Sequence, residues 1–131
     1  MFVDASALVA MLTREDDAES LARRLQNAPS RVTSAIAVFE AAMAVARKRE
    51  WSPDEAGALV TRFLGIASID IIGLGAREGE AAIEAFERFG KGRHAARLNM
   101  GDCFAYACAK THGLPLLFKG DDFAKTDIAA A

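Results

Sequence analysis

The chain has 131 residues, 52% of them hydrophobic, with 16 Lys and Arg against 18 Asp and Glu for a formal net charge of -2. That length accommodates one domain with a core of its own and leaves no room for a second. The near balance of charge excludes a polycation that holds nucleic acid by bulk attraction, so any such contact has to come from local patches.

Met1 to Val3 reads as a short first strand, and the apolar run from Ala5 to Leu12 as a helix directly after Asp4. That run is too short to cross a bilayer and no basic segment precedes it, so a soluble, cytoplasmic protein is expected. Ala18, Leu21, Ala22 and Leu25 mark one face of a second helix, and Arg31 to Thr33 a second strand. Ser52-Pro53-Asp54-Glu55 supplies an N-cap serine, a proline at the first helical position and a capping-box glutamate ahead of Leu59, Phe63 and Ile66. Ile69 to Ile72 reads as a third strand, and Ile83 with Phe86 as a helix face that stops near Gly90.

Gly90 to Asn99, with Lys91, Arg93, His94 and Arg97, is the best candidate for a mobile basic loop; Arg47-Lys48-Arg49 is a second basic segment. His112-Gly113-Leu114-Pro115 closes the helix that holds Asp102 and opens the last strand, Leu114 to Phe118. Strands alternating with helices predict an α/β fold around a mainly parallel sheet of about four or five strands. There is no internal repeat and no convincing linker. Cys103 and Cys108, five positions apart in one helical segment and without partner histidines, read as reduced, packed thiols.

Acids interrupt the apolar stretches at four places: Asp4, Glu40, Asp102, and the pair Asp121-Asp122. Each has a plain structural reading when taken singly. Asp4 can cap the helix beginning near Ser6, Asp102 can sit in a first turn capped by Asn99, and Asp121-Asp122 can form a turn. Glu40 is harder to dismiss, because it falls on the apolar side of its helix with Ile36 and Met43; a buried salt bridge to an arginine is the alternative. Asp4 lies at the carboxyl end of the first strand, where open parallel sheets place their ligands. If the four loci converge, a divalent cation is the expected occupant, since clustered negative charges repel until a cation neutralises them.

Val3-Asp4-Ala5-Ser6, Thr33-Ser34 followed by Glu40, Asn99-Met100-Gly101-Asp102-Cys103 with Tyr106-Ala107 and Ala109-Lys110, and Leu116-Leu117-Phe118-Lys119-Gly120-Asp121-Asp122-Phe123 occur in order along the whole chain. In this set the sequence resembles the PIN domain, and within it the VapC-type toxins of bacterial toxin–antitoxin pairs. The resemblance implies a single PIN domain over residues 1–131, an α/β/α sandwich that binds Mg2+ or Mn2+ and cleaves RNA. It also implies a cognate antitoxin protein as partner and a homodimer. Carried over by position, Asp4 and Asp102 are the principal metal ligands and Glu40 a ligand or water-orienting acid. The fourth acid is Asp121 or Asp122; Asp121 is favoured, with Asp122 left to cap the following turn.

Hard carboxylate oxygens suit Mg2+ and Mn2+, which keep part of their water shell. Ser6 and Thr33 or Ser34 are candidates to hydrogen-bond and orient the carboxylates, although helix capping or strand-end bonding accounts for them equally well. Lys91, Arg93 and Arg97 are candidates for contact with the RNA backbone. His94 and His112 read as surface residues rather than general bases. Two other classes remain open: a PIN-like binding module with little catalysis, and an aspartyl-phosphate phosphatase or receiver-type domain in which Lys119 binds phosphate.

Overall fold

The computed structural model describes residues 1–131. Four strands, β1 (Phe2–Val3), β2 (Val32–Ser34), β3 (Asp70–Ile72) and β4 (Leu116–Leu117), form one parallel sheet in the order β3-β2-β1-β4. A single bridge between Leu116 and Ala130 lays the C-terminal segment along the outer edge of β4. Three strands lie within the runs expected from sequence, β2 is shifted by one residue from the expected Arg31 to Thr33, and the expected parallel α/β architecture is present.

The helices are α1 (Ala5–Leu12), α2 (Ala18–Gln26), α3 (Ala35–Arg49), α4 (Pro53–Ala67), α5 (Ala76–Phe89) and α6 (Met100–Thr111), with a 3-10 turn at Phe123–Lys125. Alternation along the strands divides them between the two faces of the sheet. Val3 and Leu117 point into a core with Leu8, Leu21, Leu25, Ala41, Val60 and Leu64 from α1 to α4. Phe2 and Leu116 point the other way, against Ala85, Phe89, Cys103, Tyr106 and Ala107 from α5 and α6. The result is a three-layer α/β/α arrangement.

The chain moves outward from β1 to β2 to β3, then returns to place β4 on the other side of β1. The order therefore reverses between β1 and β4, and a crevice at the carboxyl ends of two such strands is the usual ligand position in open α/β sheets. Three helix starts lie at or beside this end. Asp4 caps α1, Ser34 caps α3 at the end of β2, and Asn99 caps α6.

Two apolar stripes face differently from the sequence expectation. In α4 the buried residues are Ala56, Val60 and Leu64, while Ile66 is 74% exposed. In α5 the buried residues include Ala82, Ala85 and Phe89, while Ile83 and Phe86 are exposed and line an apolar groove of about 450 Å3 with Met100 and Phe104. The buried faces pack on neighbouring helices, α4 against α3 and α5 against α6, and the residues named from sequence lie to one side of those contacts. Cys103 and Cys108 are buried free thiols, and burial pushes both up to about 11.

The capping box at α4 forms as expected: Ser52 Oγ accepts from the Glu55 amide at 3.2 Å, and Glu55 accepts from the Ser52 amide at 3.1 Å. Ser52→Ala should cost about 1 kcal/mol. Chemical denaturation of the variant beside the unaltered protein should register that loss.

Candidate active site at the carboxyl end of the sheet

Asp4 is 4% exposed although it carries a carboxylate. Its Oδ2 accepts from the Ser6 amide at 2.9 Å and from Ser6 Oγ at 2.5 Å. Ser6 Oγ in turn accepts from the Lys119 amide at 3.0 Å, so one hydroxyl ties the start of α1 to the chain leaving β4. Burial raises the Asp4 pKa above the ordinary carboxylate range, against the opposing effect of the Ser6 and Ala5 hydrogen bonds. Asp4 is thus both a helix cap and a buried acid at the switch crevice.

Glu40 lies one and a half turns into α3, on the side where that helix touches α6. No Lys, Arg or His stands within salt-bridge distance of it, so the buried ion pair considered from sequence is absent. Its pKa is pushed up to about 7, first by desolvation and then by the charges of Asp4 and Asp102. Asp102 occupies the first turn of α6 in a reciprocal capping box: its amide donates to Asn99 Oδ1 at 2.9 Å, and its Oδ2 accepts from the Asn99 amide at 3.0 Å. Desolvation, then the charges of Asp4 and Asp122, lift Asp102 to about 6 despite the Asn99 hydrogen bond.

These couplings place the acids relative to one another. Asp4 acts on both Glu40 and Asp102, Asp102 acts on Glu40, and Asp122 acts on Asp102. Of the adjacent pair after β4, it is therefore Asp122 rather than the favoured Asp121 whose charge reaches the cluster. Gly120 turns the chain with φ +95°, and Asp122 starts the 3-10 turn in a helical conformation. Its side chain makes no capping hydrogen bond. The cap expected of Asp122 is therefore not formed.

Neither Thr33 nor Ser34 orients a carboxylate. Thr33 Oγ1 donates to the Val3 carbonyl at 2.8 Å, and Ser34 Oγ accepts from the Ala37 amide at 3.2 Å. Strand-end bonding and helix capping account for them, and Ser6 alone of the three hydroxyls touches an acid. Lys119 does not face the crevice as a phosphate ligand. Its Nζ binds Glu15, which also pairs with Lys48, and lies 3.1 Å from Asp17. The two lysines hold Glu15 down to about 2.

The basic loop leads into α6. Lys91, Arg93 and Arg97 are exposed, while Ala96 and Leu98 are buried and anchor the segment. Arg93 pairs with Glu87 at 3.1 Å; Lys91 and Arg97 have no acidic partner. His94 packs edge-on against Phe89, and His112 lies 3.5 Å from Glu78, both away from the acids. Asp127 was not singled out by sequence, yet it accepts from Tyr106 at 2.5 Å and pairs with Arg88 at 3.1 Å and Lys110 at 3.3 Å. It clamps the C-terminal segment onto α5 and α6, a role with no local sequence pattern to announce it.

No three His, Cys, Asp or Glu side chains are gathered tightly enough to hold a metal ion as they stand. The acids meet within electrostatic reach, not as the closed ligand cage that convergence suggested. An all-oxygen set of half-buried carboxylates without a cationic partner nevertheless matches the chemistry of Mg2+ or Mn2+. Such ions retain several waters and take only one or two carboxylates directly.

The family model for the PIN domain matches residues 1–129. A "Ribonuclease VapC" of Mycolicibacterium smegmatis is 45% identical over 130 residues, covering 99% of this chain and 98% of that protein. "Ribonuclease VapC30" of Mycobacterium tuberculosis is 41% identical over 129 residues, covering 98% of this chain and 96% of that protein. Among solved structures, the M. tuberculosis VapC20, described as a sarcin-ricin loop cleaving toxin, superposes with a TM-score of 0.76. That similarity covers 99% of this chain and 97% of the solved chain at 19% identity, and so bears on the fold alone. With its parallel sheet, acidic crevice and near full-length relatives, the chain belongs to the PIN-domain family, within its VapC ribonuclease branch.

Proposed function

We propose that this protein is a metal-dependent endoribonuclease that uses Mg2+ or Mn2+, and the toxin of a toxin–antitoxin pair. One observation carries the reading: Asp4, Glu40 and Asp102, from three separate parts of the chain, are desolvated at one end of the sheet, Glu40 and Asp102 within reach of the Asp4 charge, with no cationic side chain paired to any of them. Retaining uncompensated carboxylates is costly unless a cation joins them in the working state. Relatives named as VapC ribonucleases supply the substrate class, and membership of that branch, whose resemblance is to toxins of toxin–antitoxin pairs, supports the pairing with an antitoxin.

In this reading Asp4 and Asp102 hold the ion, with Asp122 beside them and Asp121 in a lesser role. A bound Mg2+ or Mn2+ would polarise a phosphate and lower the pKa of a water. Ser6 fixes the Asp4 carboxylate through both its amide and its hydroxyl. The Asn99 box leaves Asp102 one oxygen free of hydrogen bonds within the chain. Glu40, with a pKa of about 7, stands as the group that orients a water and takes up its proton. Lys91, Arg93 and Arg97 lie on the loop running directly into α6, placed to bind flanking phosphates.

The engagement of Lys119 with Glu15 and Asp17 argues against the phosphoaspartate alternative, which needs that amine at the crevice. Purified protein incubated with structured RNAs in Mg2+, Mn2+ or EDTA tests the nuclease directly. Asp102→Asn should reduce metal-dependent cleavage by at least about 100-fold while circular dichroism stays native; normal cleavage by that variant sinks the assignment. Between the paired aspartates, Asp122→Ala should impair cleavage more than Asp121→Ala, and the opposite ranking would return the fourth position to Asp121.

Metal binding should also appear without substrate. Millimolar Mg2+ or Mn2+ should raise the melting temperature by mass action, and Asp4→Asn should blunt that response. Differential scanning fluorimetry of the two proteins with and without EDTA decides this.

The raised acids predict a pH dependence of definite sign. Between the usual glutamate value of 4.5 and about 7, the folded chain holds a proton on Glu40 that the unfolded chain has released. Stability of the metal-free protein should therefore fall as pH rises through that window. Glu40→Gln should flatten this limb in urea denaturation measured at pH 5 and pH 7.5, whereas an unchanged slope would show that Glu40 titrates normally.

A further inference from the structure

Glu40 and Asp102 are carried by different helices, and the carboxyl group of Glu40 lies against the first turn of α6 at Gly101. A β-carbon placed on Gly101 would stand 2.2 Å from both Oε1 and Oε2 of Glu40 and 2.3 Å from its Cδ. Its three nearest atoms would thus all belong to that one carboxyl group, well inside any van der Waals contact. Gly101 is buried in the first turn of α6, immediately before Asp102.

The backbone itself does not call for glycine there. Gly92, Gly113 and Gly120 have positive φ, but Gly101 does not. It is an ordinary helical residue, and within a helix glycine is less favourable than alanine. Other glycines in the chain have open space where a side chain would go, among them the helical Gly57, Gly65 and Gly79. Gly101 thus carries a cost in helix propensity, and the atoms that fill its missing side-chain volume are those of an acid on another helix.

We propose that Gly101 is a positioning residue for Glu40: the absence of a side chain there admits the Glu40 carboxyl group to the flank of Asp102. The inference rests on the reading of Glu40 as the water-orienting acid. An added methyl has to displace the carboxyl group, because the β-carbon is fixed to the backbone of α6 whereas the Glu40 carboxyl ends a flexible side chain. Displacements of about 1 Å at a reacting centre cost up to about 100-fold in rate.

The test combines activity with a stability cycle that needs neither RNA nor metal. Gly101→Ala should lower kcat for metal-dependent RNA cleavage by about tenfold or more with little change in KM. In Glu40→Asp, whose carboxyl group is one methylene shorter, the same alanine should cost less than about threefold. In EDTA, Gly101→Ala should lower the melting temperature of the otherwise native chain. In the Glu40→Ala background, where the obstructing carboxyl group is gone, it should leave the melting temperature unchanged or raise it, as helix propensity dictates. Normal kcat in Gly101→Ala, or an equal loss of melting temperature in both backgrounds, would overturn the proposal. If the unaltered protein cleaves no RNA with either ion, the nuclease reading fails, while the melting-temperature cycle still decides whether Gly101 makes room for Glu40.

Discussion

The burial of one carboxylate, Asp4, is the constraint on which the working end of this molecule depends. At 4% exposure it follows a strand whose residues Phe2 and Val3 are wholly buried, so it cannot be rehydrated without opening the sheet. Two hydrogen bonds from Ser6 compensate part of its desolvation, and the same serine accepts from the amide of Lys119. The exit of β4 is thereby fixed relative to the exit of β1. That distance is the width of the crevice in which the remaining acids stand.

Local helix chemistry then aims each acid. Asp4 and Asp102 serve as capping groups, so their carboxylates are held by backbone amides rather than by cationic partners. Hydrogen bonds of this kind satisfy a carboxylate without cancelling its charge, which stays available to a ligand. Glu40 lacks even such a bond and is pushed up to about 7, against about 6 for Asp102. The cations are spent elsewhere: Lys48 and Lys119 on Glu15, Arg88 and Lys110 on Asp127. These pairs brace the α1–α2 connection and the C-terminal segment, and they leave the crevice uniformly negative.

That separation of charge shapes how a polyanion would approach. Lys91 and Arg97 lie unpaired on the loop that feeds α6, so positive charge borders the acids along the chain itself without neutralising them. Next to it, Ile83, Phe86 and Met100 leave an apolar groove open along the start of α6. Ile83 and Phe86 turn outward because Ala82, Ala85 and Phe89 take the face of α5 that packs against α6.

The sequence by itself determined the number and approximate place of the strands and the helix between Pro53 and Ala67 with its capping box, and it singled out Asp4, Glu40 and Asp102 as acids within apolar stretches. All of these rest on interactions within a few residues, such as the Ser52–Glu55 exchange, or on a period of apolar positions. It did not determine which face of α5 is buried, because Ile83 and Ala82 both fit a helical period and packing depth alone separates them. Nor could it choose between Asp121 and Asp122, since the turn at Gly120 and the 3-10 turn after it set how each charge bears on Asp102. Thr33 and Ser34 have hydroxyls suited to a carboxylate, but nearer backbone partners took them. Gly101 is the sharpest case: its contact with Glu40 joins residues 61 positions apart in numbering, from separate helices, and only the packing of α3 against α6 could decide it.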